Sequence, residues 1–409
     1  MPQIRFFNLG GGPAVIAGSV GFTEGGLVHA VRSMAPLSSR YDVTVACPNV
    51  PSLQDTIRDV SIDGVRVICP KPPLPVRGMP AGEMCVVERP LLTLLNWPSI
   101  LAGYLAESKR LSRERVDVVI SNGIVASYLA GLMQGPWCRI AVLHHLYLDR
   151  WSTGGASSPG GLLVRLERLL LRRLNADAVA VVNPFVASCL AAKGFPADRV
   201  WFVGNGVDTG RLNFTLRHDQ DSLLFVGRLR AAKGVESLLE AFAIIHARRP
   251  RALLHIVGDG LLRHALESRA TVLGIDGSVV FHGFVDEETK TRLLQSCSVY
   301  LSASRFEGFG LPVVEAMAAG AVPVVSDIPA HRYIFQDRPV GCLTASADEM
   351  AASVLELLQD EPRRTAMATA GRALVEDMWT WNRVAERYGM LIDRLLARRG
   401  TASKVPEPQ

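Results

Sequence analysis

Six side chains in this 409-residue sequence have types and spacing suited to an anionic, hydroxylated ligand: Glu307, Glu315, Arg228, Lys233, His144 and His145. The two glutamates stand eight residues apart around Gly308-Phe309-Gly310. Neither suits a phosphate, because like charges repel. Both suit hydroxyl groups, one on a sugar and one on a ribose. Arg228 and Lys233 follow the apolar run 223–226. Two cations at that point can neutralise a diphosphate and stabilise the charge that builds on it as it leaves. A ligand with a diphosphate between two polyols meets these demands, and a nucleotide diphosphate sugar is such a ligand.

The elements around these residues can position them. Residues 298–301 are apolar and β-branched enough for a buried parallel strand. Gly308 and Gly310 let the backbone turn and approach a ligand, Pro312 suits the first helical position, and Gly320 suits a left-handed stop. The run 322–325 then restarts a strand. Glu307 falls in the loop and Glu315 in the opening turn of the helix, leaning back toward its start. Free N–H groups and the helix dipole make that point an anion site. The same strand-then-glycine order recurs at 223–227, at 253–257 before Gly258-Asp259-Gly260, and at 279–285.

Residues 4–9 read as the first strand of the other half, with a long glycine-rich loop from Gly10 to Gly26 and a helix at 27–32. A dinucleotide fingerprint fails there, because Pro13 and Val15 occupy places that need a tight turn and a glycine. Strands follow at 43–47, 65–69, 116–120, 139–143 and 178–182. Residues 70–90 read as a surface loop, 91–111 as a helix broken at Pro98, and 161–175 as an amphipathic helix. Alternation of this kind implies α/β architecture with parallel sheets wrapped by helices. His144-His145 end the strand at 139–143, the edge where such sheets collect ligands. Adjacent side chains of an extended segment face opposite ways, so one of the two points inward. A structural histidine bonded to a loop carbonyl stays open, and metal binding lacks a third ligand nearby.

Glu307-Gly308-Phe309-Gly310-Leu311-Pro312 followed by Glu315-Ala316-Met317-Ala318-Ala319-Gly320 resembles the E-x7-E element of the retaining glycosyltransferase family GT4. Gly227-Arg228-Leu229-Arg230-Ala231-Ala232-Lys233-Gly234 is similar to its GR-x4-KG element, and Asn205-Gly206-Val207-Asp208 to its NGVD crossing between domains. The resemblance implies the GT-B fold, with two Rossmann-like doubly wound domains facing an interdomain cleft that holds the active site. It implies an acceptor-binding domain over 1–205, a nucleotide-sugar-binding domain over 206–378, and a terminal helix over 379–400 packing back on the first. It further implies that His144, favoured over His145, approaches the transferred sugar, with Arg228, Lys233 and Glu307 as its catalytic companions. Gly25 and Gly26 come near the donor phosphate and the acceptor. Gly258, Asp259, Phe284 and Val285 frame the base, largely through backbone. Gly308, Phe309, Gly310 and Leu311 line the donor with Glu307 on the sugar and Glu315 on the ribose. The expected cofactor list is empty, the co-substrate being a nucleotide diphosphate sugar with UDP favoured. No metal is expected. The acceptor is a small molecule or a glycan. Around Ala330-His331-Arg332 the family's Gly and Glu are replaced, so no role carries over there. An epimerase or phosphorylase of the same fold, or a non-catalytic nucleotide-binding subunit, are the rivals.

Composition sets the remaining bounds. The chain is 48% hydrophobic and 20% charged, with net charge +5 carried almost wholly by arginine; the lysines are Lys71, Lys109, Lys193, Lys233, Lys290 and Lys404. No basic cluster interleaved with aromatics points to nucleic acid. The wealth of Ala, Arg, Gly and Val suggests a GC-rich bacterial genome. Cys47, Cys69, Cys85, Cys138, Cys189, Cys297 and Cys342 are odd in number and widely spaced, which argues against a disulfide frame or zinc site and for a cytoplasmic protein. No signal peptide or membrane span is evident. The basic face of 161–175 permits peripheral contact with an anionic membrane. Asp219-Gln220-Asp221 spells a metal-binding Asp-x-Asp but reads as solvated loop in a polar linker over 209–221, and 401–409 reads as a disordered tail. Monomer and homodimer are both compatible with the sequence.

Overall fold

The runs Val118–Asn122, Ala178–Val181 and Cys297–Ser302 become strands buried along their whole length, as parallel sheets covered on both faces require. The structure, a computed structural model, describes residues 1–8, 13–16, 19–22, 25–46, 59–68, 113–144, 159–192, 194–216 and 219–400, together with 102, 105–107 and 109–111. The expected loop at 70–90, most of the helix at 91–111, His145 and the tail at 401–409 lie outside the described residues. Contacts divide the chain into one unit of Met1–Gly204 with Val384–Gln409 and another of Asn205–Arg383.

In the first unit the order is β1 (Gln3–Asn8), β2 (Pro13–Ile16), β3 (Ser19–Phe22), α1 (Gly25–Met34), β4 (Asp42–Ala46), β5 (Asp59–Ile62), β6 (Val65–Ile68), β7 (Val118–Asn122), α2 (Ile124–Leu132), β8 (Cys138–Leu143), α3 (Pro159–Arg172), β9 (Ala178–Val181), α4 (Pro184–Ala192) and β10 (Val200–Phe202). The main sheet runs β10-β9-β8-β7-β1-β4-β6-β5, parallel but for β5. The segment expected to be only a glycine-rich loop instead carries the antiparallel hairpin β2–β3. Its Val15 and Val20 pair across the hairpin, and a β-branched pair of this kind favours extended backbone. The C-terminal helix (Trp381–Arg398) is tied to this unit: Asp393 receives Tyr41 Oη at 2.5 Å and Arg40 Nη2 at 2.7 Å, and Arg387 reaches the Val203 carbonyl at 3.2 Å.

The second unit contains β11 (Asp219–Val226), α5 (Val235–Arg248), β12 (Leu253–Val257), α6 (Arg263–Val272), β13 (Val279–Gly283), α7 (Glu287–Ser296), β14 (Cys297–Ser302), α8 (Leu311–Ala319), β15 (Val322–Ser326), α9 (Pro329–Phe335), β16 (Cys342–Thr344), α10 (Ala347–Gln359) and α11 (Glu361–Met378). Its sheet runs β13-β12-β11-β14-β15-β16 and is parallel throughout. Leu223, Phe225, Leu254, Ile256, Val299 and Leu301 pack under α5 and α10 in one fully buried core.

Two expectations for the linker are corrected. Residues 209–216 lie along the second unit: Leu212 is buried, Phe214 packs on the core, and Arg372 holds the Leu212 and Ala318 carbonyls together at 2.7 and 2.8 Å. Asp219-Gln220-Asp221 opens strand β11 rather than standing in a loop. Asp221 Oδ1 pairs with Arg249 Nε at 3.0 Å, so its charge is met by an arginine.

Candidate active site

Each sheet has one place where successive strands go to opposite sides, and loops there splay apart to leave a crevice at the carboxyl ends. In the second unit that place lies between β11 and β14. The loop after β11 carries Arg228 and Lys233, and the loop after β14 carries Glu307 and the glycines. They are knitted by backbone: Arg305 N donates to the Ala232 carbonyl at 2.9 Å. Gly234, at φ +60°, sits so close to Ala303 that a Cβ there would lie 2.0 Å from its carbonyl oxygen. Glycine at 234 is therefore what lets the Lys233 turn close onto β14.

That closure brings Lys233 Nζ to 2.6 Å from Glu307 Oε1. Ser304 Oγ donates to the same oxygen at 2.7 Å, and Ser302 Oγ donates to Ser304 Oγ at 3.1 Å. Ser304 is itself fully buried, so the carboxylate is aimed by a fixed support. Both bonds fall on Oε1, which leaves Oε2 for a ligand. Arg228, by contrast, is exposed.

Gly310, at φ +101°, caps the start of α8, and Gly320, also at φ +101°, ends it with its N–H on the Ala316 and Met317 carbonyls. The helix begins at Leu311, one residue before the expected start, because the left-handed turn is complete at Gly310. Pro312 is thus the second helical residue and Glu315 lies past the first turn. This corrects its expected placement in the opening turn. Glu315 Oε1 accepts from Lys290 Nζ of α7 at 3.0 Å, and Lys290 also meets Glu287 Oε2 at 3.0 Å. Burial raises the Glu315 carboxyl above the ordinary range, with Lys290 opposing. Burial lowers Lys290, but its two carboxylates more than offset this and its pKa is raised.

Phe309, expected to line the donor, has a buried ring. Its side chain is 4% exposed and packs edge-to-face on Trp379, centroids 5.4 Å apart, because burying the ring gains more than solvating it. Only its backbone can serve a ligand. The turns at Gly258 and Gly283 join through Gly258 N and the Gly283 carbonyl at 2.8 Å, and Leu229 N donates to the Asp259 carbonyl at 2.9 Å. Phe284 beside them is 91% exposed and Val285 half-buried. Sequence reasoning missed Ser304, Lys290 and His331. His331 is fully buried, its Nδ1 donating to the Ser326 carbonyl at 2.7 Å, and burial lowers its pKa. Its Nε2 takes no bond. Lys290 carried one available signal, its rarity as a lysine.

In the first unit the corresponding place lies between β1 and β7, where Asn8 and Asn122 pair at the strand ends. His144 follows β8, half-buried, with Nε2 2.7 Å from Asn122 Oδ1. The His29 ring meets it edge-on at 4.7 Å, and Tyr388 of the C-terminal helix lies 2.9 Å from His29 Nε2. His29 and Tyr388 are buried, so His144 rests on a rigid support that sequence reasoning also missed. Gly25 and Gly26 begin α1, which carries His29.

Comparison with known proteins gives the family and the fold. Residues 25–206 match the glycosyl transferase 4-like domain, and residues 211–374 match glycosyl transferases group 1. The chain belongs to the GT4 family. It is 29% identical over 250 residues to a GDP-mannose-dependent alpha-(1-6)-phosphatidylinositol monomannoside mannosyltransferase of Mycobacterium tuberculosis, covering 56% of this chain and 65% of that one. The chain spans between 40% and 65% of the lengths of such curated relatives. Its fold is similar to that of a sucrose-phosphate synthase from Thermosynechococcus elongatus, with TM-score 0.79 at 18% identity over 97% of this chain and 100% of that chain. Anabaena HepE in complex with UDP-glucose gives 0.70 at 17% identity over 97% and 99%. The GT4 chain is thus built, like these GT-B proteins, from two parallel-sheet α/β domains.

Proposed function

We propose that this GT4 chain transfers a glycosyl group from a nucleotide diphosphate sugar to a small-molecule or glycan acceptor, with retention of configuration. The observation that carries the reading is the Lys233–Glu307 pair beside the glycine start of α8. A cation, a carboxylate able to accept from hydroxyls and a helix N-terminus at one switch point support it. Lys233 and Arg228 take the diphosphate, Glu307 the sugar and Glu315 the ribose. Backbone at Gly258, Asp259, Phe284 and Val285 takes the base. His144 approaches the transferred sugar from the first unit's strand ends. The acceptor attacks from the face the leaving group departs, and the leaving phosphate oxygen takes the acceptor's proton. The chain's own part is positioning and electrostatics, without a metal ion. UDP-sugars are the first donors to test because HepE is seen with UDP-glucose; GDP-mannose follows from the mycobacterial relative.

A thermal-shift screen of nucleotide sugars, followed by acceptor screening with the best donor and assignment of the product anomer by NMR, tests this. Stabilisation by one sugar nucleotide and a product that keeps the donor's anomeric configuration is the expected result. An inverted product overturns the retaining step. Interconversion of donor sugars without any acceptor identifies an epimerase, and binding without turnover a non-catalytic subunit.

Peripheral contact with an anionic membrane is a second part of the reading. On α3, Leu166 and Leu169 are each 45% exposed among exposed Arg165, Arg168, Arg172 and Arg173. Arginines near such a surface contribute about 1 kcal/mol each. Among the described residues no helix is long and apolar enough to cross a membrane. Co-sedimentation with vesicles containing phosphatidylglycerol, lost on replacing Leu166 and Leu169 by Ser, is expected. Equal sedimentation with neutral vesicles contradicts it.

A further inference from the structure

We propose that Lys290 is a positioning residue for the nucleotide: it holds Glu315 ionised and turned so that the carboxylate's second oxygen meets the ribose. This rests on the reading of Glu315 as the ribose contact. Glu315 lies on α8 and Lys290 on α7, and their 3.0 Å bond crosses between two helices that both pack on β14. Lys290 is 17% exposed and Glu315 20%, so neither charge is met mainly by water. A half-dry carboxylate without a counter-charge takes up a proton more readily, and a protonated acid is a poorer acceptor for two hydroxyls.

The geometry separates two jobs on one side chain. Lys290 takes Oε1, which leaves Oε2 for a ligand. Glu307 shows the same division, with Lys233 and Ser304 both on Oε1. The lysine also fixes the rotamer, since Glu287 binds it too, at 3.0 Å, and keeps it from following Glu315. The titratable groups about Glu315 are Lys290 and Glu287 of α7 and the buried Tyr300 of β14 beneath. Lys290 is the sole cation among them. Burial pushes the Glu315 carboxyl up even with Lys290 in place.

The sign follows. Glu315 accepts best when ionised, so affinity falls as pH falls through its pKa, and removing Lys290 moves that fall to higher pH. The experiment is calorimetric titration of the intact chain with UDP-glucose, or with the best donor found, from pH 5.5 to 8.5. The intact sugar nucleotide carries a diphosphate of fixed charge over this range, which keeps the ligand's own titration out of the result. Wild type should vary little between pH 8 and pH 6, whereas Lys290→Met should weaken by about tenfold, the loss of one charged hydrogen bond. Lys290→Arg should restore the flat profile, which a merely packed side chain would not do. In Lys290→Met with Glu315→Gln the profile should be flat and weak, since no carboxyl remains. Lys290→Gln serves if the Met variant does not fold. If Glu315→Gln alone leaves affinity unchanged, the ribose reading fails and this proposal with it. If Glu315→Gln weakens binding but both Lys290→Met and Lys290→Gln follow the wild-type pH profile, the proposal alone is overturned.

Discussion

Replacing Lys233 with alanine removes the cation that the second unit holds closest to its loop carboxylate. In the free chain the ammonium lies 2.6 Å from Glu307 Oε1, and the two side chains are 26% and 13% exposed. A preorganised cation in a partly dry site costs no reorganisation when charge develops on the departing diphosphate, and one such contact is typically worth ~3 kcal/mol. Turnover should therefore fall roughly a hundredfold. A second effect separates this from simple loss of charge. Glu307 keeps only Ser304 at 2.7 Å, so its aim loosens as well. Because the two side chains touch, their replacements should not add: Lys233→Ala with Glu307→Gln should fall short of the summed single losses by about 0.5–3 kcal/mol. The assay is turnover at saturating donor, with the melting temperature measured in parallel to show that the variants are folded. A folded Lys233→Ala chain within about threefold of wild-type turnover, or singles that add fully, would refute the reasoning.

Two further predictions follow from neighbouring parts of the fold. Because Asp221 is paired with Arg249 at 3.0 Å inside β11, excess EDTA and the double replacement of Asp219 and Asp221 by Asn should leave the rate within about twofold; loss restored by manganese or magnesium would contradict this. Asn122→Ala removes the 2.7 Å partner of His144 and should lower turnover several-fold, about 1 kcal/mol, while donor affinity stays unchanged; an unaltered turnover would take Asn122 out of the support.

What the sequence disclosed and what it hid follow a physical line. Glycines announce backbone that other residues cannot adopt, so Gly310 and Gly320 located the acidic loop and its helix, the likeness to the GR-x4-KG element located the Lys233 loop, and the intervening apolar runs located the strands. Pair partners distant in sequence leave no such mark. Lys290 and Glu315 are brought together by packing of α7 on α8, and Tyr388 reaches His29 across 359 residues. Phe309 stands between the two glycines of the loop, where the sequence suggests a ligand, yet its ring packs against Trp379. The linker misled because its polar residues dominate the reading, while Leu212 and Phe214 and bonds to its backbone carbonyls, such as Arg372 on Leu212, anchor it to the second unit. The hairpin β2–β3 hid for a similar reason, four-residue strands being too short to show alternation among glycines.

The central claim, a donor held with its sugar on Glu307 and its ribose on Glu315, is tested most directly by calorimetry with two ligands on two variants. Glu315→Gln should weaken the free nucleoside diphosphate and the intact sugar nucleotide alike, by ~1.5–3 kcal/mol, because the ribose is common to both. Glu307→Gln should leave the free diphosphate nearly unchanged and weaken only the sugar nucleotide. Glutamine keeps the size of each side chain, and Ser304 and Lys290 remain to hold it in place. The reverse pattern would turn the donor end for end. No change with either variant and either ligand would make the two carboxylates structural and contradict the account.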